Sequence, residues 1–373
     1  MKHFTLVPMI CEYPTVAAFA DSFGLNENDL ILTNEYIYHP LFSDLDVQAH
    51  VIFQEQYGVG EPTDIMVDAI LASLHEMQYD RIVAVGGGTI IDIAKVLAVA
   101  ERTDRTDQLY DKMGVLRKVH PLFIIPTTCG TGSEVTNISV VNRTAKGVKQ
   151  GIVSPSMYAE QAILIPELLQ SLPYKVFSTS SIDAMIHAVE SYLSPNASAT
   201  SEMFSLQALS ILLPCWRNAA AESDKNDWKA HAVEYLRASN YAGIAFSNAG
   251  CGAVHALSYP FGGTYHVAHG ESNHVMFTPV LNMYLEKDPN GKLLSLCHAL
   301  AGLLNYHAEQ VPQALCALMD QILPRKPMHE YGVTQEDLPR FADAVIDSQQ
   351  RLLANNYVPL SREEILAIYK TAY

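Results

Sequence analysis

The stretch "RIVAVGGGTIIDIAK", Arg81 to Lys95, runs from an apolar, β-rich segment through Gly86, Gly87 and Gly88 into residues with helical apolar spacing. A strand that ends in glycine and feeds a helix is half of a βαβ unit, so this stretch predicts a parallel α/β sheet. Glycines let a backbone come close to a ligand. The helix reads as opening at Thr89, with Asp92 three residues later as a capping-box partner. Its first N–H groups have no internal partner and sit at the positive end of the helix dipole, which makes the turn a seat for a pyrophosphate. A tight turn without a ligand is the plainer alternative, because the pattern is not the G-x-G-x-x-G fingerprint.

Outward from this turn the first half repeats the same rhythm. "DLILTN" and "AHVIFQ" read as strands, "TDIMVDAILASLHEM" as an amphipathic helix and "PLFIIPTT" as a further strand. That last strand runs into "IPTTCGTGSEVT", where Thr127, Thr128, Thr131 and Ser133 surround Gly130 and Gly132. A second polar turn at a strand end can wrap the same ligand. After "QAILIPELLQSLP" the strand signals stop, and "SIDAMIHAVESYL", "SEMFSLQALSILL" and "DWKAHAVEYLRASNYAGIAF" carry helical spacing. The expected organisation is an α/β domain over residues 1–170 and an all-α domain over 171–373, divided beside Pro166 and Pro173.

Composition narrows the function classes. A chain of 373 residues, 49% hydrophobic and 17% charged, can bury a large core. Its net charge of -16, with no run of Lys or Arg, makes nucleic acid a poor partner. The longest apolar runs, such as "YAGIAF", fall far short of the roughly 20 residues a membrane span needs. The start "MKHFTLVPMICEYP" has no signal-peptide apolar region, so a cytoplasmic protein is expected. Six scattered cysteines without a C-x-x-C pair fit reduced thiols better than a disulfide frame or a cysteine-type structural zinc site.

Asp183 and His187 in "SIDAMIHAVE" are four residues apart, so on a helix they share a face and can point at one ion. Alone, such a pair is more often a solvated helix face. The segment "HALSYPFGGTYHVAHG" changes this reading, because His255 and His269 are separated by a Gly262-Gly263 pair read as a turn that folds one back toward the other. One carboxylate and three imidazoles suit a catalytic divalent ion such as iron or zinc. Glu190 and Glu271 read as supporting or surface residues, and His266 as either a pocket or a loop residue.

Together, "GGGT", "TTCGTGSE", "DAMIHAVE" and "HALSYPFGGTYHVAHG" resemble the marks of the iron-containing (group III) alcohol dehydrogenases, and the match runs along nearly the whole chain. Within that family, "PTTCGTGSEVTN", "SNYAGIAFSNAGCGAVHALSYP", "YHVAHGE" and "QQRLLANNYVPLSRE" are similar to the bacterial members that act on 4-hydroxybutyrate. The resemblance implies a dehydroquinate synthase-like fold: an N-terminal dinucleotide-binding domain, an all-α C-terminal domain and an active site in the cleft between them. It also implies NAD, a divalent metal with Fe2+ favoured and Zn2+ as the other candidate, and a homo-oligomer, on family grounds a dimer. The metal ligands it implies are Asp183, His187, His255 and His269. For the cofactor it implies Gly86, Gly87, Gly88 and Thr89 for the pyrophosphate, with Thr127, Thr128 and Lys149 as further contacts. Two departures stand out. Asn34 replaces the acidic residue that holds the adenine ribose in many members, and Tyr259 replaces a second histidine four residues after the first. Tyr259 and His266 are therefore the candidates for the proton relay.

The activity so implied is reversible hydride transfer between a primary alcohol, here an ω-hydroxy acid, and NAD. A remote carboxylate on that substrate needs a cation, for which Lys146, Arg351 and the pocket histidines are candidates. A metal-dependent lyase similar to 3-dehydroquinate synthase is the rival, but "GTYHVAHGESNH" has no Lys or Arg for a phosphate-bearing substrate. A non-catalytic nucleotide-binding module leaves the carboxylate and three histidines unexplained.

Overall fold

The structure, a computed structural model, describes residues 3–373 apart from Arg102 and Ser223. Residues 6–172 form one unit; residues 173–373, joined by 3–5, form a second. The change of unit between Leu172 and Pro173 lies two residues from the division read from the prolines.

Among its described residues the first unit has eight strands and five α-helices. The strands are β1 (Met9–Glu12), β2 (Asp29–Thr33), β3 (His50–Phe53), β4 (Arg81–Gly86), β5 (Leu122–Pro126), β6 (Ile138–Arg143), β7 (Val148–Val153) and β8 (Gln161–Leu164). Six of them make a parallel sheet in the order β1-β8-β5-β4-β2-β3, while β6 and β7 pair as a separate antiparallel hairpin. Five helices accompany the strands: α1 (Val16–Phe23), α2 (Glu35–Phe42), α3 (Asp64–Ser73), α4 (Gly88–Leu97) and α5 (Thr106–Asp111).

Successive side chains of a strand point to opposite faces, so a sheet covered on both sides needs continuous apolar runs. "LIL", "IVAV" and "LFII" provide them. Leu30, Leu32, Ile82, Ala84, Leu122 and Ile124 join Met66 and Ile70 of α3 and Ile91 and Ala94 of α4 in one apolar layer. Ile31, Val83, Val85, Phe123 and Ile125 join Val16 and Phe19 of α1 and Ile37 and Phe42 of α2 in the other. From β2 the chain moves to β3 at one edge and then returns to β4 on the other side of β2. Strand order therefore reverses between β2 and β4, and a crevice opens at their carboxyl ends in sheets of this kind. Asn34 follows β2 at this point, and Gly86 ends β4.

The start of α4 corrects one expectation. Its N-cap is Gly87, with no side-chain cap, and the helix begins at Gly88 rather than Thr89. The Asp92 carboxylate does not cap it but accepts from the Val140 N–H of β6 at 3.0 Å. Thr89 Oγ1 donates to the Gly60 carbonyl at 3.1 Å. Glycine at the cap removes the side-chain acceptor that a capping box needs, which frees Asp92 to tie the hairpin to the helix.

Among the described residues the second unit is helical: α6 (Tyr174–Leu193), α7 (Ala199–Ala221), α8 (Ala232–Ala249), α9 (Ala253–Tyr265), α10 (His269–Lys287), α11 (Lys292–Leu304), α12 (Val311–Ile322), α13 (Asp337–Ser348), α14 (Gln350–Leu353) and α15 (Arg362–Ala372). Packed against α7, α8 and α10, α6 is buried along most of its length. Phe177 on α6 stacks on Trp228 at 3.9 Å between ring centroids. Residues 3–5 are held here as well: Phe4 stacks on Phe204 at 5.7 Å, and the Thr5 backbone exchanges hydrogen bonds with the Asn248 amide at 2.6 and 2.9 Å. No described helix is long and apolar enough to cross a membrane.

Gly270 sets the closeness of α6 and α10. A Cβ at this position would lie 2.0 Å from the Thr179 carbonyl oxygen and 3.4 Å from Asp183 Cβ. Backbone cannot swing aside as a side chain can, so Gly270→Ala should push the two helices apart at a cost of about 1–3 kcal/mol. At roughly 2–4 °C per kcal/mol, a melting curve should fall by several degrees, and an unchanged Tm would show that the crossing is looser than described.

Candidate functional site

Asp183, His187 and Glu190 occupy one stripe of α6, and all three are buried. Buried polar groups need partners, and here the partners come from α9 and α10. Glu190 divides its carboxylate: Oε1 accepts from the Val254 N–H at 2.7 Å, and Oε2 lies 2.5 Å from His255 Nδ1. With Nδ1 held by Glu190, the His255 ring turns Nε2 toward Asp183 Oδ1 at 3.5 Å and His187 Nε2 at 3.1 Å. His187 is stacked between Phe246, at 4.4 Å, and His255, at 4.6 Å. His269, the first residue of α10, brings Nε2 to 3.6 Å from Asp183 Oδ1.

Two sets of donor atoms result. Asp183, His255 and His269 offer ligand atoms within 4.8 Å of one another, and so do His187, Cys251 and His255. The electrostatics favour added positive charge. Burial alone would raise the Asp183 pKa, yet the surrounding imidazoles of His187, His269 and His255 hold it well below the usual carboxylate range. Burial works against a charged His255, but Cys251 and Glu190 carry its pKa well above the usual imidazole value. For the Cys251 thiol, burial pushes up while His255 and His187 pull down, to about 7. A cluster that prefers acids ionised and imidazoles protonated is one whose protons a divalent ion can replace.

The structure brings together all four residues expected as ligands and revises how the chain presents them. α8 stops at Ala249, Gly250 turns the chain at φ 79°, and His255 lies in the first turn of α9. The Gly262-Gly263 pair is not the turn. Both glycines belong to α9, where a Cβ on Gly262 would come within 3.0 Å of Ser272 Oγ on α10. Reversal occurs instead at His266, the α9 C-cap, in the left-handed region at φ 54°. His266 is exposed there and is not among the side chains of the cluster. Tyr259, one turn after His255, places its ring 5.9 Å from that of His269, and burial raises its pKa. Glu271 points elsewhere, pairing with Lys175 at 2.6 Å and accepting from Tyr331 at 3.0 Å.

Two residues of the site were missed. Asn273 directs Nδ2 at Asp183 Oδ1 (2.8 Å), His255 Nε2 (3.2 Å) and His269 Nε2 (3.3 Å), while its buried Oδ1 has no hydrogen-bond partner. Cys251 completes the second donor set. Each stands four residues from a ligand candidate, Asn273 after His269 and Cys251 before His255, and that spacing was the available signal.

In the first unit, the two polar turns meet. A Cβ on Gly87 would touch Thr128 Cγ2 at 3.3 Å and one on Gly88 would touch Thr131 Cγ2 at 3.2 Å, so only glycine keeps this surface open. The Thr127 N–H donates to the Gly86 carbonyl at 3.1 Å, joining the ends of β4 and β5. Asn34, at the end of β2, donates to Glu55 Oε2 at 2.8 Å, and Glu55 Oε1 accepts from the Glu35 N–H at 2.6 Å. Lys149, on β7, forms an ion pair with Glu61.

Similarity to known proteins agrees with this inventory. Residues 15–166 match the iron-containing alcohol dehydrogenase model, and residues 177–373 match the C-terminal model of the Fe-containing alcohol dehydrogenase family. A 4-hydroxybutyrate dehydrogenase of Clostridium kluyveri is 46% identical over the full length of both chains. A long-chain-alcohol dehydrogenase of Geobacillus thermodenitrificans is 35% identical over 86% of this chain and 83% of its own. The crystal structure of sulfoacetaldehyde reductase from Bifidobacterium kashiwanohense in complex with NAD+ covers all of this chain and 98% of its own, with a TM-score of 0.85 at 21% identity. Two family models that between them take in both polar turns and every donor of the cluster leave one conclusion: the chain belongs to the iron-containing alcohol dehydrogenase family.

Proposed function

We propose that the protein is a metal-dependent, NAD-linked alcohol dehydrogenase that interconverts 4-hydroxybutyrate and succinate semialdehyde. The observation that carries this reading is the full-length likeness, at 46% identity, to a 4-hydroxybutyrate dehydrogenase. The donor set suits a divalent ion: one carboxylate and three imidazoles gathered on buried helices, with the His255 tautomer fixed by Glu190. We assign Asp183, His187, His255 and His269 as its ligands, with Fe2+ favoured. We likewise assign Gly86, Gly87, Gly88, Thr89, Thr127 and Thr128 to the cofactor pyrophosphate and its surroundings, with Asn34 toward the ribose and Lys149 as a further contact.

When bound, a divalent ion supplies Lewis acidity toward the alcohol oxygen, and NAD supplies the hydride acceptor. The chain's own contribution is positional. Glu190 and Phe246 hold the two deepest imidazoles in fixed planes. In alcohol oxidation, Tyr259, a neutral phenol beside His269, relays a proton: it gives its own phenolic proton toward water as it accepts that of the substrate hydroxyl, and the same relay runs backward in the reverse reaction. Exposed at a helix cap, His266 is the weaker of the two relay candidates. For the remote carboxylate we choose Arg351, on α14 packed against α9, whose charge acts on the Tyr259 hydroxyl. Lys146 lies in the other unit, exposed beside the β6–β7 turn. We place the enzyme in the cytoplasm as a homo-oligomer, a state that light scattering measures directly.

His269→Ala should remove most bound metal and nearly all turnover while NAD titration stays largely unchanged, because the glycine turn belongs to the other unit. His266→Ala should keep the ion. Elemental analysis of both variants decides, and full metal occupancy in His269→Ala would show that the wrong histidine was chosen. NAD should give the higher kcat/KM against NADP. The Glu55 carboxylate beside Asn34 repels a 2′-phosphate, and no Arg or Lys follows "LILTN" to attract one. A clear advantage for NADP would overturn this. Finally, 4-hydroxybutyrate should outperform 1-butanol in kcat/KM, and Arg351→Ala should erase most of that margin, by about tenfold or more for loss of a charged contact, with little change for 1-butanol. Equal losses on both substrates would remove Arg351 from the carboxylate site.

A further inference from the structure

Cys251 is a buried sulfur that the proposed reaction does not use. It lies on the short link between α8 and α9, and that link is tightly held. The Ala249 carbonyl accepts from Ser194 Oγ at 2.7 Å, the Ala253 N–H donates to Asn356 Oδ1 at 2.9 Å, and the Val254 N–H donates to Glu190 at 2.7 Å. Glycines on both sides allow the fit: a Cβ on Gly250 would lie 2.3 Å from the Asn355 amide nitrogen, and one on Gly252 would lie 2.9 Å from Asn356 Oδ1. The thiol is thus fixed in place, with Sγ and the two imidazole nitrogens of His187 and His255 all within 4.8 Å of one another.

One ion sets definite spacings between its donors. Tetrahedral zinc, with Zn–N of about 2.0–2.1 Å and Zn–S of about 2.3 Å, spaces its nitrogens about 3.3–3.4 Å apart and its nitrogen and sulfur about 3.6 Å apart. His187 Nε2 and His255 Nε2 are 3.1 Å apart. A water or substrate oxygen can complete the fourth position. Both donor sets use His255, so they cannot be filled by two ions at once.

We propose that Cys251 is a sulfur ligand of this centre, forming with His187 and His255 a second, softer coordination set that takes a thiophilic divalent ion such as zinc in competition with iron. The set containing Asp183 and His269 offers one oxygen and imidazole nitrogens, donors that iron accepts. The set containing Cys251 replaces the carboxylate with a thiolate, the donor that most favours zinc over harder ions. On binding, the S–H bond breaks, the proton leaves to solvent and the sulfur lone pair forms the metal bond, with no change of oxidation state. The proposal rests on the metal centre described under the proposed function and adds a ligand that this function does not require.

Cobalt(II) reports the sulfur directly. The purified enzyme is stripped of metal with a chelator, given one equivalent of Co2+, and its near-ultraviolet and visible absorption is recorded beside Cys251→Ala and Cys251→Ser, with bound cobalt measured by elemental analysis. The unmodified enzyme should show an intense thiolate-to-cobalt charge-transfer band. Both variants should bind cobalt without it. In parallel competition between Zn2+ and Fe2+, the variants should lose zinc preference by about tenfold or more. Cobalt bound by the unmodified enzyme with no such band, and with a spectrum matching the variants, would overturn the sulfur ligand while leaving the metal centre standing. Failure of the unmodified enzyme to bind cobalt at all would overturn both. Circular dichroism confirms that each variant is folded, and serine keeps nearly the size of cysteine if alanine proves disruptive.

Discussion

A carboxyl group buried in a helical core needs hydrogen bonds to replace its water, and Glu190 on α6 finds them in a single neighbouring turn of α9. One oxygen takes a backbone N–H at the start of α9; the other takes the His255 ring. The same two bonds fix where α9 begins, how it is rotated against α6 and which nitrogen of His255 faces the cluster. Asp183 and His187 follow from this, because they share the α6 stripe with Glu190 and meet side chains that α9 and α10 deliver. The donor cluster and the helix packing thus have one physical cause.

The α/β unit was readable because its signals are local. "LIL", "IVAV" and "LFII" are apolar without alternation, which in a strand means both faces covered, and the glycines of "VGGGT" mark where β4 ends. The parallel order follows from strands alternating with helices. Less visible was β1, whose "MICE" is short and flanked by Pro8 and Pro14. Asp92 looked like a capping partner by spacing, but Gly87 at the cap offers no side chain to reciprocate, and a hairpin backbone nearly fifty residues onward claims the carboxylate.

Residue identity gave the four histidine and aspartate donors, whereas the path between them depended on long-range packing. Gly262 looked like a turn residue because glycine usually marks one; here it allows α9 to approach Ser272 of α10 inside a helix. The actual reversal falls on His266, whose leaning toward the left-handed region is far weaker than that of the glycines three and four residues before it. Cys251 and Asn273 escaped notice for a related reason. A lone cysteine or asparagine carries no pattern until the fold places it beside partners sixty or ninety residues away in the chain.

The few residues before β1 that stack on Phe204 and bind Asn248 give the chain an unusual order of assembly. Because they belong to the helical unit, the whole α/β unit is an insertion between the first strip of that unit and the rest. During synthesis the α/β unit is complete when Leu172 emerges, while Phe4 and Thr5 wait for partners, Phe204 and Asn248, translated two hundred residues or more after them. This segment can close as soon as α7 and α8 have been made, before α9 to α15 follow. A fluorophore or a peptide tag near Phe4 would follow the docking of this segment on α7 and α8.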